Sequence, residues 1–123
     1  ILESDKKVVL VASHSLSHRH FVEEAPLPED MSREHIYNHS QYVWDMKMVD
    51  LMRAGNMREV IDLMSEFTEQ TMAETEGGGL TWLMAAMDYP DYNAEIYGYQ
   101  SVIGTGNVIA AWDPNEQSRE VVL

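Results

Sequence analysis

Cysteine is absent from the 123 residues, which excludes a disulfide framework, a thiolate-ligated zinc site and a thiolate nucleophile. Cationic side chains are scarce: eight Lys+Arg stand against 21 Asp+Glu, a formal net charge of −13. Such a chain lacks the basic face that a nucleic-acid backbone or an anionic membrane requires of a partner. No run approaches the roughly 20 apolar residues that span a bilayer, and no positively charged leader precedes an apolar signal core. A soluble, cytoplasmic protein is the expectation. Without a secretory signal, the sequon-like Asn38-His39-Ser40 reads as a chance match. Internal repeats, low-complexity tracts and a dividing linker are lacking too, and the length suits about one domain. The first residue is Ile1, not methionine, and Ile1 to Lys7 leads straight into an apolar run. That opening leads one to expect an upstream portion.

What is present begins with Val8-Val9-Leu10-Val11-Ala12, followed by Ser13-His14-Ser15-Leu16-Ser17-His18-Arg19-His20, which holds three of the five histidines. An aliphatic run without polar alternation reads as a strand buried on both faces, near 7–13, inside a helix-flanked sheet. Ligands in open α/β sheets sit beyond strand C-termini, so a Ser/His cluster there is well placed for chemistry. The competing reading is a solvated polar turn. Pro26 and Pro28 then break regular structure. Ser32 is a candidate N-cap, and Trp44, Met48, Leu51 and Met52 recur at helical spacing, while Asp45, Lys47, Asp50 and Arg53 fall largely elsewhere. This helix, open to interruption near His39-Ser40, should end at Gly55. Asn56 with Glu59 three places on resembles a capping box for a second helix, Ser65 opens a third reaching about Glu74, and Gly77-Gly78-Gly79 stops the pattern before a fourth, Leu80 to Met87. Two strands near 94–100 and 108–112 follow, and the residues after Pro114 read as a charged, mobile tail over 115–123. The fold class is therefore α/β, with helices within 32–88.

Four patterns could carry chemistry. His35 and His39 have the i,i+4 spacing of helical metal pairs, but no Glu follows His35 as the helical zinc-protease motif requires, and a solvated face competes. Gly104-Thr105-Gly106 lacks the third glycine and following helix of a dinucleotide fingerprint. The nine methionines, with Trp44 and Trp82, are explained by packing on core faces. The acidic Glu74-Thr75-Glu76 beside the triple glycine could offer a hard oxygen ligand to a metal ion, with solvated carboxylates as the alternative.

Several segments together resemble a known family. Leu16-Ser17-His18-Arg19-His20, the stretch Pro28 to Asn38, Trp44-Asp45-Met46-Lys47-Met48, Gly78 to Met87, Gly98-Tyr99 and Ile103 to Asn107 occur in matching order over about residues 7 to 114. They are similar to the C-terminal part of class III extradiol ring-cleaving dioxygenases. Within the family the likeness is greatest to the catalytic subunits acting on 2-aminophenol or 2'-aminobiphenyl-2,3-diol, with the protocatechuate 4,5-dioxygenases more distant. The resemblance implies a partial catalytic domain, 1–123, of a non-haem Fe(II) oxidoreductase that opens a catechol or 2-aminophenol ring with O2 in aromatic compound breakdown. It implies an iron site of two histidines and one carboxylate, with both histidines in the family's N-terminal part. It carries the carboxylate role to Glu74, with Glu76 as the alternative, and the acid–base role to His18, leaving Arg19 and His20 as candidates to orient that imidazole. It further implies a homo- or hetero-oligomer with a homologous subunit, and an isolated chain that is catalytically silent for want of the histidine ligands. A non-catalytic homologous subunit or small-molecule binding module on the same scaffold is the alternative.

Overall fold

The computed structural model describes residues 5–18, 36–102 and 104–115. The candidate cap Ser32, the residues Arg19, His20 and His35, and the tail from 116 onward lie outside these. Helices α1 (His39–Arg53), α2 (Met57–Asp62), α3 (Met64–Thr71) and α4 (Gly78–Ala86) are followed by an antiparallel hairpin of β1 (Glu95–Val102) and β2 (Thr105–Ala111). Helices with a small sheet satisfy the α/β expectation. No described helix is long and apolar enough to cross a membrane.

α1 starts where Asn38, in extended conformation, turns its side-chain oxygen onto the Gln41 N–H at 2.8 Å, satisfying one orphan donor of the first turn. Its inner face is Gln41, Asp45, Met48, Val49 and Met52. It stops at Gly55, whose φ of +75° favours glycine and whose missing Cβ would lie 2.8 Å from the Tyr92 carbonyl carbon. Asn56 then opens α2 as the capping-box pattern predicts: its Oδ1 accepts from the Glu59 N–H and its Nδ2 donates to Glu59 Oε2 at 2.6 Å. The core between the helices is rich in methionine. Met48, Met52, Met57 and Met84 are almost wholly enclosed together with Phe67, Val49 and Val60, and the Trp44 ring meets Phe67 edge-on at 6.4 Å.

Five expectations change. The run near 7–13 is not a two-faced buried strand. Val9 and Val11 are 85% and 72% exposed while Leu10 and Ala12 pack on the core. Two-sided burial needs a flanking strand on each edge, and the two described strands pair with each other. Ser65 lies inside α3 instead of capping it, because Leu63 keeps helical dihedrals and carries the chain from one helix into the next. Gly78 and Gly79 begin α4 instead of interrupting the pattern. Trp82 is 53% exposed; it stands two places from both Leu80 and Met84, which puts it across the helix from the core face. Finally, residues 36–38 are not helical, so α1 cannot carry His35 and His39 as an i,i+4 pair, and His39 lies exposed at its first turn.

In the hairpin, Glu95 pairs with Ala111 and Val102 with Thr105, with an irregularity between Ile96 and Gly98. Gly104-Thr105-Gly106 therefore enters a strand, not a phosphate-binding turn. α1 packs against both strands, and the loop of residues 15–18 is held where helix, hairpin and the end of α3 meet.

Candidate functional site

Residues 15–18 run beside residues 71–74 and are tied to them by main-chain bonds. The His18 N–H donates to the Thr71 carbonyl at 3.1 Å, and the Glu74 N–H donates to the Leu16 carbonyl at 3.3 Å. The chain reaches Glu74 because Met72 adopts a left-handed conformation that ends α3. Directly after Glu74, Thr75 and Glu76 also have positive φ, at +49° and +54°. For a β-branched residue such a φ is unfavourable, of order 1–3 kcal/mol, and strain of this kind concentrates at functional sites.

The Glu74 carboxylate is turned back onto the histidine loop. Its Oε2 accepts from both the backbone N–H and the hydroxyl of Ser15, the latter at 2.8 Å. Those two bonds hold its pKa below the usual carboxylate range, and the nearby charges of His18 and then His14 act in the same direction against some desolvation. The structure thus brings His18 and Glu74 to one place. Glu76, just beyond, is exposed.

His14 joins them, although sequence reading gave it no role. Its ring lies over Gly79, where a Cβ would come 2.6 Å from Nδ1, so the triple glycine serves to seat this imidazole. Nδ1 is buried with no hydrogen-bond partner among the described residues. Burial lowers the His14 pKa, and the Glu74 charge only partly opposes that. The signal for His14 is its pairing with a glycine far along the chain, which no local pattern encodes.

Asp45 is the larger surprise. Sequence reading set it with the polar residues of α1, yet it is completely buried. Its Oδ1 accepts from the Ser17 N–H at 2.9 Å, and its Oδ2 accepts from the Ser17 hydroxyl at 2.7 Å and the Tyr99 hydroxyl at 2.6 Å. Burial raises its pKa, with the bonds from Tyr99 and Ser17 opposing. Burial likewise raises that of Tyr99, with the bond to Asp45 adding to it. Helical spacing could have found Asp45, since it lies four residues after Gln41 and three before Met48 on the inner face.

Ser15→Ala tests how Glu74 is held. Losing the hydroxyl donor should raise the Glu74 pKa toward its ordinary range, read from the 13C titration of its carboxyl. A depressed pKa gives stability that is fully present above the unfolded value and lost as pH falls through the folded one. The variant should therefore be less stable than the parent by about 1 kcal/mol at neutral pH, solvent screening keeping the figure low, and the two urea curves should converge in acid. A gap that stays constant down to the protonated state contradicts this account.

Residues 1–110 match the family described as the catalytic LigB subunit of aromatic ring-opening dioxygenase. A 2-aminophenol 1,6-dioxygenase beta subunit from a Pseudomonas species is 51% identical over 113 residues, which is 92% of this chain and 37% of the relative. The chain thus spans little more than a third of that curated relative's length. With the family match running from the apolar segment, through the His18 loop and Glu74, to the second strand of the hairpin, the chain belongs to the LigB family of aromatic ring-opening dioxygenase subunits.

Proposed function

We propose that this chain forms the acid–base and carboxylate half of a non-haem Fe(II) dioxygenase that opens the ring of a catechol or 2-aminophenol type substrate with O2 at the extradiol position. The observation that carries the reading is the Glu74 carboxylate, held by Ser15 beside His18. The donor set fits a ferrous ion in part. A carboxylate kept ionised by two hydrogen bonds is a suitable hard ligand, but among the described residues no group of three or more His, Cys, Asp or Glu is arranged to hold a metal. Glu74 would supply one ligand, and the two histidines would come from elsewhere in the complete enzyme.

Iron, when bound, supplies the Lewis acidity that lowers the pKa of adjacent hydroxyl or amino groups and the redox partner for dioxygen. The chain's own residues do the rest. Ser15 keeps Glu74 ionised and aimed. His18 Nδ1 is buried, so proton exchange is assigned to Nε2, which takes the substrate hydroxyl proton and returns it to an oxygen later in the reaction; an imidazole suits that work near neutrality. His14, whose ring rests on Gly79 and whose burial favours the uncharged imidazole, stands near Glu74. The relative's description as a beta subunit supports assembly with a further subunit, taken in this reading to be a homologous one, and the setting assigned with it is cytoplasmic.

Oxygen uptake with 2-aminophenol or a catechol, with Fe(II) supplied, tests the reading. The complete dioxygenase that contains this sequence should consume O2 and release a ring-opened product, and the chain by itself should be silent. Turnover by the chain alone would overturn the division of the site. A complete protein that opens neither ring would overturn the reaction.

A further inference from the structure

The groove along the outer face of α1, about 610 Å³ and lined by Tyr42, Met46 and Leu51 among others, has nothing against it that names an occupant. The contact that does carry further lies inside. One carboxylate, Asp45, is where α1, β1, β2 and the histidine loop converge. Oδ1 holds the Ser17 N–H and Oδ2 holds the Ser17 hydroxyl, so the residue next to His18 is gripped at main chain and side chain at once. Oδ2 is also the acceptor for Tyr99 of β1. The Ser17 hydroxyl accepts in turn from the Gly106 N–H of β2 at 3.2 Å, and the Leu16 N–H donates to the Gly106 carbonyl at 2.8 Å. On the other side of His18, its N–H is bonded to Thr71, and the Gln41 side chain spans from the Thr71 carbonyl at 3.0 Å to the His18 carbonyl at 3.5 Å.

We infer that Asp45 is a positioning residue for the acid–base step: through Ser17 it fixes the main chain from which the His18 imidazole projects. The inference rests on the role proposed for His18 and adds the device that aims it. A buried carboxylate with no cation bonded to it among the described residues is a costly way merely to join elements, because well-packed apolar groups of the same volume usually serve stability as well or better. What a carboxylate provides here is geometry, since its two oxygens take three donors in fixed directions and leave Ser17 a single orientation. Among the described residues the groups bonded to Asp45 are the Ser17 N–H, the Ser17 hydroxyl and the Tyr99 hydroxyl, none of them a cation. Hydrogen-bond partners that orient a metal-ligating imidazole are typically worth about 10–100-fold, and an effect of that order is expected where the grip acts through the neighbouring Ser17.

Two measurements test this. In the complete protein that contains this sequence, without added iron, Asp45→Asn and Ser17→Ala should each move the imidazole resonances of His18 in two-dimensional NMR, while those of His39 stay at the parent position and the amide dispersion remains that of a folded protein. His18 resonances that do not move in either folded variant overturn the inference. In the complete dioxygenase, Asp45→Asn should lower kcat by about 10–100-fold with KM and bound iron unchanged, and should have no further effect in a His18→Ala background. An equal loss in both backgrounds means that Asp45 acts on the fold and not through His18, and overturns it. Should the parent open no ring, the function proposed above fails while the NMR result still decides the role of Asp45. Ser17→Ala, which keeps Asp45 bonded to the Ser17 N–H and Tyr99, serves where Asp45→Asn does not fold.

Discussion

On the function proposed above, Glu74→Ala in the complete protein should strip the iron and with it ring opening, whereas His18→Ala should keep the iron and lose only turnover. The two side chains share a site, so a test that separates them is more informative than either loss alone. Removing a group that merely supports a metal ligand costs about 10–100-fold in affinity or activity, so losing the ligand itself should cost more than about 100-fold. His18 contributes no donor to the metal in this reading and carries a proton instead, a role worth about 10²–10⁴-fold in kcat. Iron content by absorption spectroscopy, beside oxygen uptake, distinguishes the two. Iron retained in full by Glu74→Ala would remove Glu74 from the coordination sphere and leave Glu76 as the candidate carboxylate, despite its exposed position.

The second large effect is expected at Gly106. A methyl group there would overlap the Asp45 carboxylate and would lie 2.6 Å from Tyr99 Oη and 2.8 Å from Ser17 Oγ. None of these atoms is the free end of a flexible side chain; each is held by the others in a buried network. Gly106→Ala must therefore push the hairpin off α1 or break the bonds to Asp45. Overpacking alone costs about 1–3 kcal/mol, and stranding buried donors adds to it, so about 3 kcal/mol or more is expected. For a chain of this size that corresponds to a fall in Tm of roughly 10 °C or more, read by circular dichroism of the chain itself. A variant melting within a few degrees of the parent would show that the glycine is dispensable and the network loose. Gly98→Ala is the control, because a methyl group at that position of β1 would meet open space.

Much of the helical half was readable from spacing. Asn56 and Glu59 announce a helix start through complementary side chains three residues apart, and the α1 stripe of Met48 and Met52 declares its buried side. The hairpin was readable too, with strands slightly longer than predicted because the pairing runs to the turn. The apolar segment at 8–12 misled, because composition reports that a side chain would gain by burial and not whether a neighbouring strand is there to bury it. Asp45 misled for the opposite reason: a carboxylate is read as solvent-facing, and only three donors arriving from positions 17 and 99 make its burial tolerable.

The amino-acid sequence on its own determined the family, the helix stop at Gly55 and start at Asn56, and the candidate pair His18 and Glu74, since these depend on ordered motifs and on contacts within a few residues. Tertiary structure alone decided that Ser15 grips Glu74, that His14 rests on Gly79, and that Asp45, Tyr99 and Gly106 enclose Ser17. Those contacts join positions 28 to 89 residues apart, and the desolvation that shifts a pKa or makes a hydrogen bond strong exists only after the chain has closed around them.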